Sequence, residues 1–103
     1  MSSLFRVITR STDSADYIAL SGNIDASADK QLQSLPGMVD NQLVHFDFSQ
    51  AGRINSMGIA LLLRCFKQIR EEKKAKIILR ELNPTNALLF KMTGVFMLAS
   101  HEK

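Results

Sequence analysis

Between Leu43 and Arg80 the apolar period changes from two to about 3.6 residues and back again, and this change limits the fold more than any other feature. Leu43 to Phe48, LVHFDF, alternates strictly. Val44, Phe46 and Phe48 fall on one face, and Leu43, His45 and Asp47 on the other. Ser49 to Ile54 reads as a polar loop. From Ser56 to about Glu72 the residues Ile59, Leu62, Leu63, Phe66 and Ile69 recur at helical spacing, while Arg64, Lys67, Gln68 and Glu71 fill the wet face. Lys76 to Arg80, KIILR, is a short buried strand. A strand–helix–strand unit favours two parallel strands joined by a right-handed crossover.

The flanking segments extend this unit. Leu4 to Arg10 and Asp16 to Gly22 are strand patterns separated by a polar turn, which predicts an antiparallel hairpin. In the second strand Ile18 and Leu20 share one face, and Tyr17 and Ala19 the other. Ala26 to about Leu35 predicts a helix, with Ala28, Leu32 and Leu35 inward, Asp25 or Ser27 as cap, and Pro36-Gly37 as its stop. Asn83 caps a third helix, Pro84 takes its first position, and Gly94 ends it. Leu88, Leu89 and Met92 are its expected apolar stripe, and Val95 to Ala99 is read as a last short strand. The expectation is a single α/β domain spanning residues 1–103. Its mixed sheet has about four or five strands, with an N-terminal antiparallel hairpin and helices mainly on one face.

Composition removes several classes of function. The chain is 46% hydrophobic and 22% charged, which suits a folded globular protein. Its one cysteine, Cys65, allows no internal disulfide and reads as a core residue. The N-terminal MSSLFRVITR lacks the apolar run of a secretion signal, and no segment is apolar enough to span a bilayer. A cytoplasmic location is expected. His45 lies within a strand, and no spacing of Cys and His suits a metal. Glycine-rich phosphate loops are missing, so no cofactor and no enzyme activity is expected. Charge is uneven: residues 1–55 sum to −2 and residues 56–103 to +5. The basic run from Arg64 to Arg80 is interrupted by Glu71 and Glu72, and there is no Trp to stack bases. It reads as a solvated helix face.

Chemistry concentrates in FDFSQAGRINSMGIALLLR, where a strand gives way to a helix. Ser56 falls at the helix start, as cap or first residue, beside Asn55. Capping alone would account for both side chains. A phosphate on Ser56 would also meet the free N–H groups and positive end of the helix dipole. It would add roughly −1.5 to −2 of charge without refolding the domain.

Three stretches together resemble the STAS family of sulfate transporter and anti-sigma factor antagonist domains. Asp47-Phe48-Ser49, a short loop and Ile54-Asn55-Ser56-Met57-Gly58 resemble its strand, loop and D-S-x-G switch. Leu20-Ser21-Gly22-Asn23-Ile24-Asp25 resembles the turn before its first helix. Asn83-Pro84 with Leu89 to Phe96 resembles its last helix. The family usually has Asp where this chain has Asn55, which keeps capping ability but removes a charge.

The resemblance implies a compact mixed sheet flanked by helices and a binding protein without catalytic residues of its own. It implies Ser56 as phosphorylation site, a GHKL-type anti-sigma factor and serine kinase as partner, and a PP2C-type phosphatase that restores the free hydroxyl. Asn23, Asp25, Arg53, Asn55, Met57 and Gly58 are the expected partner contacts. A monomer with no direct nucleic-acid or membrane contact is expected. The alternative within the same family is a constitutive subunit of a membrane transport assembly. The serine retained at position 56 favours the switch.

Overall fold

The computed structural model describes residues 4–102. β1 (Arg6–Ser11) and β2 (Asp16–Ile24) form the hairpin. A 3₁₀ turn (Ala26–Ala28) leads into α1 (Asp29–Met38). β3 (Leu43–Ile54), α2 (Ser56–Lys73) and β4 (Lys76–Arg80) follow. α3 (Pro84–Thr93), a second 3₁₀ turn (Val95–Met97) and β5 (Ser100–His101) complete the order.

The five strands lie in sequence order, β1-β2-β3-β4-β5. Only the β1–β2 pair is antiparallel. Successive right-handed crossovers in one direction put every connecting helix on the same side. Packing agrees. Ile18 and Leu20 of β2, Val44, Phe46 and Phe48 of β3, and Ile77 and Leu79 of β4 are buried beneath the helices. Phe46 meets Phe66 of α2 edge-on at 4.9 Å, and Phe48 meets Phe90 of α3 at 5.4 Å. Such pairs add about 0.5–1.5 kcal/mol beyond the area they bury. No described helix covers the opposite face, where Tyr17 and the half-buried His45 pack ring to ring at 4.9 Å.

Four expectations are corrected. Pro36 and Gly37 do not stop α1, which runs on to Met38. Pro36 lies close to the C-terminus, so the ring disturbs only the last turn, and Val39 closes it by donating to the Pro36 carbonyl at 3.3 Å. Ser49 to Ile54 is not a loop: β3 continues through it, with Gln50, Ala51 and Ile54 paired to Ser21, Gly22 and Ile24 across two register shifts. The apolar stripe of α3 is rotated from the one expected. Leu88 and Met92 are 58% and 75% exposed, while Asn86 and Phe90 are buried. Val95 to Ala99 forms a 3₁₀ turn rather than a strand, and the last strand is Ser100–His101.

Candidate functional site

At the C-terminal end of β3 the chain turns into α2 through Asn55. This residue is extended (φ −92°, ψ −177°), and its Oδ1 accepts the Gly58 N–H at 2.8 Å. Asn55 is therefore the cap, and Ser56 is the first helical residue. Among the described residues the Ser56 hydroxyl has no hydrogen-bond partner, and the residue is exposed. The side chain that satisfies the helix end and the hydroxyl that faces solvent belong to different residues. The position lies at the N-terminus of an 18-residue helix, with unsatisfied N–H groups and the positive end of the helix dipole beside it.

The turn is bolted to the end of β2. The Asn55 N–H donates to the Ile24 carbonyl at 3.2 Å. Gly58 is buried against that same carbonyl, and a Cβ added there would lie 2.0 Å from its oxygen. The helix start approaches β2 so closely that only a residue without a side chain fits.

Asn23 and Asp25 have local structural tasks. Asn23 Oδ1 accepts the Arg53 N–H at 2.9 Å across the irregular β2–β3 pairing. A Cβ on Gly52 would fall 2.3 Å from that Oδ1, so Gly52 is what lets Asn23 lie flat on β3. Asp25 caps the first 3₁₀ turn and accepts the Ser27 N–H at 2.9 Å and its hydroxyl at 2.6 Å. These two bonds hold its carboxyl below the ordinary aspartate value. Met57 is 51% exposed, next to Ser56 on the outside of the helix.

An open cleft of about 830 Å³ separates this turn from the start of α3. Asn23, Arg53 and Asn55 line one side, and Asn83, Thr85 and Asn86 the other. Asn83 Oδ1 caps α3 by accepting the Asn86 N–H at 2.7 Å. Asn86 is 4% exposed, and its Nδ2 reaches the Gly52 carbonyl at 3.4 Å. The α3 side was not anticipated from the sequence as part of the site. Its one available signal was a polar Asn86 four residues before Phe90, on the inward face of the same helix.

The rest of the chemistry is sparse. Cys65 is buried, and burial pushes its thiol up to about 12. Among the described residues no group of three His, Cys, Asp or Glu side chains converges on a metal position. No described helix is long and apolar enough to cross a membrane.

No protein-family model and no curated protein matches the chain by sequence. Solved structures do match. An anti-sigma factor antagonist from Mycobacterium paratuberculosis superposes with a TM-score of 0.75 at 18% identity, over 98% of this chain and 89% of that one. SpoIIAA, a Bacillus cell fate determinant, matches in its phosphorylated form with a TM-score of 0.66 at 19% identity, over 97% of this chain and 92% of that one. In its unphosphorylated form the TM-score is 0.71, again at 19% identity, over 97% and 89%. An anti-sigma factor antagonist STAS domain from Rhodobacter sphaeroides matches with a TM-score of 0.58 at 14% identity, over 75% of this chain and 86% of that one. The sequential five-stranded sheet, its antiparallel first pair and the helices on one face are the architecture these proteins share with the chain, which therefore has the STAS fold of anti-sigma factor antagonists.

Proposed function

We propose that the chain is a phosphorylation-switched regulatory protein, one STAS domain acting in the cytoplasm of a bacterium. With Ser56 unmodified it binds a GHKL-type anti-sigma factor that is also a serine kinase. That kinase transfers the γ-phosphoryl group of ATP to the Ser56 oxygen, and ADP and the hydroxyl proton leave. The phosphorylated chain is released. A PP2C-type phosphatase then hydrolyses the ester with water, giving inorganic phosphate and the free serine.

The division of labour between Asn55 and Ser56 carries this reading. Asn55 caps α2, so an exposed hydroxyl is left at the helix N-terminus with no described structural bond to make. A phosphate there gains the dipole and costs the fold little. The likeness to SpoIIAA, solved with and without phosphate, supports the same assignment. Asn23, Arg53, Asn55 and Met57, with Asp25 beside them, make up the partner-facing rim around Ser56; Gly58, expected among these contacts, is instead buried against β2 and only positions the turn.

The test is phosphopeptide mass spectrometry after incubation with extract of the source cell and ATP. Label on Ser56 is the expected result. Label confined to Ser49, Ser21 or Thr93 would remove the basis of the switch.

A further inference from the structure

The exposed side of α2 has a consistent charge. A helix advances about 100° per residue, so Ser56, Met57, Ala60, Arg64 and Lys67 lie within one arc of about 100°. All five are exposed. From Ser56 to Arg70 the helix carries Arg64, Lys67 and Arg70 and no acid. Glu71 is the first acid on the stripe, about 22 Å along the axis from Ser56. Arg70 is tied by its Nη1 to the Leu98 carbonyl at 3.0 Å. Arg64 and Lys67 are in no described ion pair. Asp29 of α1 lines the same groove as Arg64, and Asp25 is engaged by Ser27. The stripe thus opens on apolar atoms beside the phosphoacceptor and becomes cationic beyond it.

We propose that the surface docking at Ser56 continues along this stripe, and that its occupant is an acidic face of the protein that phosphorylates Ser56. The proposal rests on Ser56 being the phosphorylated switch. Met57 and Ala60 suit a protein surface better than a nucleic acid, which would want aromatics or an unbroken cationic row. Complementary charge orients the encounter and raises its rate. The same arrangement explains release. Phosphorylation places roughly −1.5 to −2 of charge at the apolar head of the stripe, where docking would bury it against Met57 and Ala60. Arg64 is about 12 Å from Ser56 along the axis, beyond a Debye length of about 8 Å, so it does not neutralise the phosphate. The cationic stripe draws the acidic face in, and the cost of burying the phosphate at its head expels the partner.

The experiment uses the kinase purified by following label from ATP onto Ser56. It is titrated without ATP against the wild-type chain, against Arg64→Glu with Lys67→Glu, and against Arg64→Gln with Lys67→Gln. Each titration is run at about 50 mM and about 300 mM salt. Wild-type affinity should fall about 10-fold or more between the two salts. The double reversal should bind about 30-fold more weakly at low salt and lose most of the salt dependence, with the double glutamine in between. Should the reversal fail to fold, the glutamine pair decides. Affinities within about twofold of wild type for the folded variants, or wild-type binding indifferent to salt, would overturn the stripe and leave the switch standing. Duplex DNA or phosphatidylserine vesicles that bind through the same two residues as tightly as the kinase would overturn it in favour of another partner. If no kinase labels Ser56, the switch fails and the stripe with it.

Discussion

The Ile24 carbonyl and Gly58 are in such close contact that the glycine's missing side chain is a structural requirement: a Cβ at position 58 would sit 2.0 Å from the Ile24 oxygen. That oxygen also accepts the Asn55 N–H, so one carbonyl of β2 fixes both the cap and the first turn of α2.

Gly58→Ala should therefore destabilise the protein. In an open helix interior the same change gains about 1 kcal/mol. Here the obstacle is backbone, which cannot rotate away, and the overpacking cost of about 1–3 kcal/mol outweighs the gain. A melting temperature several degrees lower, about 4–8 °C for each kcal/mol lost, is the expected result. A melting temperature that rose would mean that the β2–α2 contact is looser than described.

The cap assignment separates two neighbouring substitutions. Asn55→Ala should cost about 0.5–2 kcal/mol, because the Gly58 N–H loses its acceptor. Ser56→Ala should stay within about 0.5 kcal/mol of wild type. Denaturant midpoints of the two variants provide the comparison, and the reverse order would make Ser56 the cap.

A second carboxylate predicts the acid limit of stability. Asp16 is buried and accepts the Asp40 and Asn41 N–H groups at 2.9 and 2.8 Å, together with the Ser11 hydroxyl. Burial pushes its carboxyl up, but the bonds from Ser11, Asn41 and Asp40 together hold it below the ordinary aspartate value. The unfolded chain then takes up this proton near pH 3.9, before the folded one does. The stabilisation is complete above about pH 4 and is lost as pH falls through the lower, folded-state value. Asp16→Asn should flatten that acid limb and cost about 1–3 kcal/mol at neutral pH, since an amide cannot accept all three bonds. Urea melts at pH 7 and pH 3 measure both effects.

Cys65 should be inert in the native protein. The residue is 3% exposed and burial pushes its thiol up to about 12, so thiolate is scarce at pH 8. A disulfide reagent should label it only after denaturant is added. Rapid labelling of the native chain would contradict the packing of α2.

The elements that were legible in the sequence are those whose local signals agree. β4 matches KIILR at both ends, and Asn83-Pro84 starts α3 as its capping chemistry dictates. Gly94 ends α3 in the left-handed region at φ 85°. The misread segments are those where tertiary contacts decide. Ser49 to Arg53 is polar and contains Gly52, yet pairing with β2 and the Asn23 side chain holds it as a strand. The inward face of α3 is set by Phe90 meeting Phe48, whereas a helical count alone turned Leu88 and Met92 inward, two positions away. At the start of α2, Ser56 and Asn55 were visible as a pair, but which of them caps the helix depends on backbone geometry. The α3 side of the cleft depends on packing between segments about 30 residues apart, which no local pattern records.

The central claim is that Ser56 controls binding without controlling folding. Its most direct test compares chain phosphorylated on Ser56 with unphosphorylated chain, measuring the melting temperature of each and its affinity for the kinase that labels it. A phosphate at a capped helix start should leave stability unchanged to within about 1 kcal/mol. An unpaired charge buried in an interface typically costs about 2–5 kcal/mol, so affinity should fall about 30-fold or more. Nearly equal melting temperatures with a large loss of affinity is the predicted result. Unchanged affinity, or a loss that merely tracks unfolding, would contradict the account.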